Sequence, residues 1–345
     1  MLNKDIKILM ISFSNRGALL SKRIEEILDY KIDNYAFYKY ASNNNLKSFD
    51  NIKELIKNNF NNYDYLIFVG ALGIAVREIS PYIKNKYVDP GVIVIDELGK
   101  FTIPILSGHI GLSNLFARAL SKKLNNILVV TTATDLNNRF KVDEFAVIND
   151  LYIENPGLLK EISSTILNQD LPCIIDFKHD EIANGLYIDN KGELGIMISY
   201  HHNPVFNRTL KLIPKSLIIG IGCKKDTPVD KIREALNKVL NDNDLSIHAV
   251  KEIASIDLKK EEKGLIELSK ELNVEFITYS KDELNKLDGI FSSSDFVLKT
   301  TGVDCVCERA AKIKSDRLLI KKTVYNSVTI SIGIIDYQIK FNYEE

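Results

Sequence analysis

Residues Asp89 to Leu120 read D-P-G-V-I-V-I-D-E-L-G-K-F-T-I-P-I-L-S-G-H-I-G-L-S-N-L-F-A-R-A-L, and Val129 to Asp135 read V-V-T-T-A-T-D. Two apolar runs of buried type, Val92–Ile95 and Phe101–Leu106, flank the acidic turn Asp96-Glu97-Leu98-Gly99-Lys100. A hairpin is the plain reading: Gly99 takes a positive-φ position and Lys100 stays solvated. The turn can still aim the carboxylates of Asp96 and Glu97 at a ligand. The second run ends in Ser107-Gly108-His109-Ile110-Gly111, where a helical pattern begins that carries Leu112, Leu115, Phe116, Ala119 and Leu120 inward. A third run, Ile127–Val130, ends in Thr131-Thr132-Ala133-Thr134-Asp135.

Upstream, Ile6–Ile11 reads as a first strand and Ala18–Leu28 as a helix with Leu19, Leu20, Ile24, Ile27 and Leu28 on one side. Tyr35–Tyr40 is a second strand candidate, Asn51–Phe60 a helix and Tyr65–Val69 a third strand. This alternation predicts a mostly parallel sheet with covering helices. The third strand ends in Gly70-Ala71-Leu72-Gly73, with Arg77 one helical turn beyond Gly73. Small residues there let a ligand approach, and a new helix offers free N–H groups to an anion. A tight strand-to-helix turn explains the same residues without a ligand. G-x-x-G is not a dinucleotide fingerprint. If the sheet is parallel throughout, Gly70–Gly73, Ser107–Gly111 and Thr131–Asp135 all face the ligand-binding edge outside the carboxyl ends of the strands.

The chain has 345 residues, 45% hydrophobic and 26% charged, with net charge -1. That length predicts two or three domains, and that charge gives no footprint for nucleic acid or an anionic membrane. No run reaches the roughly 18 apolar residues of a membrane span. The N-terminus reads as a strand, not a signal peptide, so the cytoplasm is the expected compartment. A homodimer is left open. Cys173, Cys223, Cys305 and Cys307 show no metal spacing, and on a helix Cys305 and Cys307 would point to different faces. His201-His202 reads as a surface loop, because adjacent side chains rarely converge on one ion.

A central segment, residues 139–214, separates an N-terminal α/β domain (1–138) from a C-terminal α/β domain (215–345). It predicts helices over 143–149 and 157–167, a strand over 172–177 and a hairpin over 185–198 turning at Asn190-Lys191-Gly192. In the C-terminal domain a strand at Leu217–Gly222 leads into Cys223-Lys224 and a helix reaching about Leu240. Strand Val250–Asp257, helix Glu261–Leu272, strand Val274–Ile277, helix Lys281–Leu287 and two closing strands follow. Gly220, Gly222, Cys223 and Lys224 form one polar strand end. Ser255, Asp257 and Lys259 form another, and Thr301-Gly302 a third. Cys223 reads more as a small packing residue than as a nucleophile.

The motifs G-A-L-G-I-A-V-R, D-P-G-V-I-V-I-D-E-L-G-K-F, L-S-G-H-I-G-L-S-N and T-T-A-T-D, followed by I-G-I-G-C-K-K-D-T, I-A-S-I-D-L-K-K-E-E-K-G-L and T-T-G-V-D-C-V-C-E-R-A-A, resemble the cobalt-precorrin-5A hydrolase family of the anaerobic cobalamin pathway. The likeness runs from about Phe60 to Ile335. It implies an α/β N-terminal part, a smaller central part and an α/β C-terminal domain. It also implies a reaction that opens the δ-lactone of cobalt-precorrin-5A and releases acetaldehyde. The cobalt belongs to the substrate, so no protein cofactor or metal site is expected. The implied partner is a cobalt corrinoid.

Lactone opening asks for a general base, donors for the oxyanion, and proton transfer as the carbon–carbon bond breaks. His109 suits the base, with Asp96 and Glu97 to orient it or act as second acid/base. A helix N-terminus, where His109 is expected, favours its neutral form. A capping His is the plainer alternative. Ser107, Thr131, Thr132 and N–H groups near Gly108 suit the oxyanion, and Arg77, Arg118 and Lys224 the substrate carboxylates. Gly70, Ala71, Gly73, Gly108, Gly111, Asn114, Thr134, Asp135, Gly222, Cys223, Ser255, Asp257 and Gly302 complete the expected lining of a cleft between the domains. A non-catalytic corrinoid carrier is the main alternative. An unrelated nucleotide-binding enzyme is disfavoured, because there is no Walker Lys-Ser pair.

Overall fold

A computed structural model describes residues 6–108 and 110–343. The backbone clusters as two compact units, residues 1–147 with 342–345, and residues 148–341.

The first unit holds β1 (Lys7–Ser12), α1 (Asn15–Ile27), β2 (Lys31–Phe37), α2 (Tyr38–Asn44), β3 (Lys47–Phe49), α3 (Ile52–Asn59), β4 (Tyr65–Val69), α4 (Leu72–Ile79), β5 (Gly91–Ile95), β6 (Phe101–Leu106), α5 (Ser113–Leu124), β7 (Ile127–Leu128), α6 (Ala133–Leu136) and α7 (Val142–Ile148). Its strands form one sheet in the order β3-β2-β1-β4-β5-β6-β7. The first five strands are mutually parallel. β6 then runs antiparallel to β5, and β7 follows the direction of β6.

The apolar runs of β4 and β5 are wholly buried because helices cover both faces. Alternation divides them. Ile67, Val69, Ile93 and Ile95 pack with Ile24 of α1 and Phe116 and Leu120 of α5. Leu66, Phe68, Val92 and Val94 pack with Ile56 of α3 and Ala75 and Ile79 of α4. Each such Val, Leu, Ile or Phe side chain contributes about 1.5–3 kcal/mol when fully buried. Gly91 is required where β5 begins, since a Cβ there would stand 2.6 Å from the Tyr65 ring.

The second unit begins with β8 (Leu151–Ile153), α8 (Leu159–Thr165), β9 (Leu171–Ile175), β10 (Lys178–His179), β11 (Leu186–Ile188), β12 (Leu194–Ile198) and β13 (Arg208–Pro214). The five-stranded sheet has the order β11-β9-β12-β13-β8. The hairpin expected over 185–198 does not form. β11 and β12 lie on opposite sides of β9, both parallel to it. Both strands hydrogen-bond β9 instead of each other, and Gly192 of the link passes the Pro172 ring at the start of β9.

Then come β14 (Leu217–Gly222), α9 (Val229–Asp242), β15 (Val250–Ile256), α10 (Lys263–Leu272), β16 (Glu275–Tyr279), α11 (Lys281–Asn285), α12 (Asp295–Thr301), α13 (Val306–Lys312), β17 (Arg317–Tyr325), β18 (Val328–Ile334) and β19 (Gln338–Ile339). A second five-stranded sheet has the order β16-β15-β14-β18-β17. β14, β15 and β16 are parallel and β18 and β17 close the side antiparallel. α9 and α10 bury Ile232, Leu236, Leu265 and Leu268 against one face. α13 lies on the other so closely that a Cβ at Gly220 would stand 1.9 Å from the Cys307 carbonyl oxygen.

Cys305 and Cys307 do not point apart as a helical spacing would have them. Cys305 is the extended residue before α13, and the two buried sulfurs lie 3.7 Å apart. Among the described residues no group of three or more His, Cys, Asp or Glu side chains is placed to hold a metal ion. No helix among them is long and apolar enough to cross a membrane.

Candidate functional site

The reversal at β6 divides the expected residues of the first unit between two edges of its sheet. Val69 and Ile95 end parallel neighbours, so Gly70 and Asp96 share the first edge. Leu106, the last residue of β6, pairs with Val92 near the start of β5, so Ser107 begins at the opposite edge. The five residues of β5 separate the two edges by roughly 16 Å at about 3.3 Å per residue.

At the first edge Gly70 N–H donates to the Ile95 carbonyl at 2.8 Å, and a Cβ at Gly70 would meet the Phe13 ring at 3.1 Å. Ala71 precedes α4, Gly73 has open space above it, and Arg77 lies exposed on the same helix. Asp96 is occupied by the hairpin turn. Its Oδ1 accepts from Phe101 N–H at 2.7 Å, its Oδ2 from Leu98 N–H at 3.2 Å, and Gly99 follows at φ +69°. Glu97 Oε2 accepts from the Ser14 hydroxyl at 2.7 Å, and that same oxygen of Ser14 caps α1 by accepting from Gly17 N–H.

At the second edge Ser107 adopts φ +55° and donates its hydroxyl to the Asp89 carbonyl at 2.9 Å. Gly108 lies against Asn114, so closely that a Cβ would stand 2.8 Å from Asn114 Oδ1. A Cβ on Gly111 would meet Ser107 Cβ at 2.6 Å. The Asn114 amide donates to Thr132 Oγ1 at 3.1 Å and to Asp135 Oδ2 at 3.0 Å. Asp135, with a side chain 3% exposed, also receives Arg118 at 3.2 Å and Lys141 at 3.1 Å. Thr131 is exposed, and Thr134 is buried. His109 lies outside the described residues. α5 begins at Ser113, after a left-handed Leu112.

Ser107, Gly108, Gly111, Asn114, Thr132 and Asp135 are therefore brought together. Gly70, Ala71, Gly73, Asp96 and Glu97 form a separate set, and the two sets do not share one edge. Two residues of these groups escaped the sequence reading. Ser14 follows β1 as a small polar residue at a strand end, the signal used for the other motifs. Lys141 carries no local signal, since its partner Asp135 is set by the fold.

In the second unit the expected residues at the ends of β14 and β15 stay on one edge, because those strands are parallel. Gly222 ends β14, and Thr329 of the adjacent β18 donates its hydroxyl to the Gly222 carbonyl at 3.1 Å. The Ser255 hydroxyl donates to Ile221 O at 2.7 Å, tying β15 to β14. Lys224 and Asp257 are exposed just beyond. Gly302 ends α12 at φ +76°, and its carbonyl accepts from the Asn285 amide at 2.9 Å. Burial pushes the half-buried Cys223 thiol up, with Lys259 acting against the rise and Glu262 adding to it.

The family model described as Cobalamin synthesis G N-terminal matches residues 54–135, and the one described as Cobalamin synthesis G C-terminus matches residues 217–333. A cobalt-precorrin-5A hydrolase of Salmonella typhimurium is 33% identical over 293 residues, 80% of this chain and 83% of the relative. A protein of Methanocaldococcus jannaschii named as a probable enzyme of that kind is 30% identical over 347 residues, 95% of this chain and 98% of its own. A Priestia megaterium cobalt-precorrin-5A hydrolase is 28% identical over 356 residues, 95% of each chain. With both family models matched and these identities sustained along the chain, the protein belongs to the cobalt-precorrin-5A hydrolase family of cobalamin biosynthesis.

Proposed function

We propose that the protein opens the δ-lactone of cobalt-precorrin-5A and expels the extruded carbon with its methyl group as acetaldehyde, leaving cobalt-precorrin-5B. The observation that carries this reading is the second edge of the seven-stranded sheet. There a tight loop, an amide, hydroxyls and a braced carboxylate meet in a chain of this family. His109, flanked by Gly108 and Ile110, takes the proton of the attacking water. Backbone N–H groups of the loop and the Thr131 and Thr132 hydroxyls are suited to the oxyanion. Asp135, paired with Arg118 and Lys141, fixes Asn114 beside the loop.

The alkoxide released by lactone opening then collapses as the carbon–carbon bond breaks. Its electron pair passes to the macrocycle carbon, which takes up a proton. Cobalt enters and leaves with the substrate, and the protein supplies acid/base groups alone. Asp96 and Glu97 serve the turn and α1 in this reading, not proton transfer. Arg77 and Lys224, both exposed, are suited to the peripheral carboxylates.

Anaerobic incubation with cobalt-precorrin-5A, trapping acetaldehyde as a hydrazone, tests the reading. Stoichiometric acetaldehyde that depends on intact protein supports it. Tight binding of the corrinoid without acetaldehyde makes the protein a carrier and removes the hydrolase reading.

A further inference from the structure

We infer that Lys259 is an anchor for a carboxylate of the macrocyclic substrate, and that Glu262 is its positioning residue. This rests on the corrinoid reading above and extends it to a residue pair in the second unit.

Lys259 lies in the turn after β15, and Glu262 occupies the position just before α10. A short polar side chain at that position accepts an N–H of the first helical turn. Glu262 makes no such bond. It turns back, and its Oε2 accepts from Lys259 Nζ at 2.9 Å. The side chains are 4% and 17% exposed, respectively. Withdrawing two charges this far from water carries a desolvation penalty that a single ion pair only partly offsets.

The pair is also incompletely satisfied. Glu262 Oε1 is buried and has no hydrogen-bond partner among the described residues. An ammonium has three donors, and Lys259 spends one on Glu262. The surroundings hold the pair in place. A Cβ at Gly264 would stand 2.3 Å from the Thr227 carbonyl, so the start of α10 is seated against the loop that carries Cys223. Cys223 is itself close enough to respond electrostatically to both partners.

A fixed, partly desolvated ammonium with two spare donors beside a half-buried thiol suits one ligand group above others: an acceptor-only anion such as a carboxylate. Glu262 Oε1 is then left for a ligand N–H or O–H on the same edge. Lys224 and Lys225, exposed nearby, offer charge without a fixed direction.

The test compares Lys259→Met, Lys259→Arg and Glu262→Gln in the full-length protein. The two readouts are the Kd for cobyrinic acid, followed by absorbance at low and high salt, and the KM for cobalt-precorrin-5A. Lys259→Met is expected to weaken both by about tenfold or more and to flatten the salt dependence, while Lys259→Arg stays within about threefold. Glu262→Gln should fall between them with an unchanged Tm. Full esterification of cobyrinic acid should erase the difference between wild type and Lys259→Met.

The inference is overturned if Lys259→Met binds within about threefold of wild type. It is also overturned if binding weakens only with a lower Tm and an unchanged salt slope, the mark of a structural clip. Failure of wild-type protein to bind the free acid overturns it as well. Acetaldehyde release keeps the two readings apart. Wild-type turnover with an unaffected Lys259→Met removes the anchor alone. A charge-dependent loss of binding in a protein that releases no acetaldehyde removes the hydrolase reading alone.

Discussion

The two sheets that carry the sequence motifs treat them differently. In the sheet of β14 to β18, Gly222 and Ser255 close parallel strands, Asp257 and Lys259 follow one of them, and all four gather on one edge. In the seven-stranded sheet the same kind of motif follows β4 on one edge and β6 on the other, because β6 is the return strand of a hairpin. A polar strand end marks an edge only once strand direction is known. The rule that ligands bind outside the carboxyl ends of parallel strands applies to Gly70 and Gly73. It does not reach Ser107.

The contrast between the two edges is sharpest in turnover. His109→Ala is expected to lower acetaldehyde release by about 10²–10⁴-fold, and Glu97→Gln by less than about threefold. Single-turnover assays of both variants check this. Equal losses would return catalysis to a site that includes the first edge.

The next largest effect contrasts glycines of the two units. Gly220→Ala drives a Cβ into the Cys307 carbonyl at 1.9 Å and should cost about 3 kcal/mol or more. Gly73→Ala meets nothing within 4 Å in α4 and should stabilise by up to about 1 kcal/mol. Urea unfolding of the two variants distinguishes them. A tolerated Gly220→Ala would mean that α13 does not pack so closely on β14.

Glu308 gives the smaller test. It is buried at 1% exposure and accepts from Ser292 N–H, the Ser292 hydroxyl and Lys322 N–H. Burial works against its charge, but these donors outweigh it and hold the carboxyl below its ordinary 4.5. Its contribution is therefore complete above that value and fades as pH falls through the folded-state value. Glu308→Gln should cost about 1–3 kcal/mol near neutral pH, and the gap to wild type should narrow in acid. A gap that stays constant from pH 7 down to about pH 3 would show that the charge of Glu308 contributes nothing.

Cysteine reactivity gives the mildest contrast. Cys223 is half-buried while Cys173, Cys305 and Cys307 are buried, so a bulky disulfide reagent should label Cys223 first in native protein. Its raised pKa makes the reaction slow at pH 7 and faster as pH rises. Labelling of Cys305 or Cys307 ahead of it would mean that α13 opens.

Much of the fold was legible. The unbroken apolar runs of β4, β5 and β14 signal strands covered on both faces, and the 3.6-residue spacing of α1, α9 and α10 signals helices that cover them. Part of the site was legible too: Ser107-Gly108 and Thr132–Asp135 meet through Asn114. The hairpin at Asp96–Lys100, read from its own turn residues, already implied that the next strand end lies on the opposite edge. The false hairpin at 190–192 shows the opposite failure, since the turn residues are right but each strand prefers β9 as its partner.

The sequence by itself determined where most of the strands and helices lie, which faces are apolar and which strand ends are polar, because these follow from local periodicity and side-chain chemistry. Strand direction and partner choice were decided only by the tertiary structure, because they depend on hydrogen bonds between segments far apart in the chain. That is why Asp135 and Arg118 could be named from their motifs, while their pairing with each other and with Lys141, and the withdrawal of Asp96 and Glu97 to the other edge, could not.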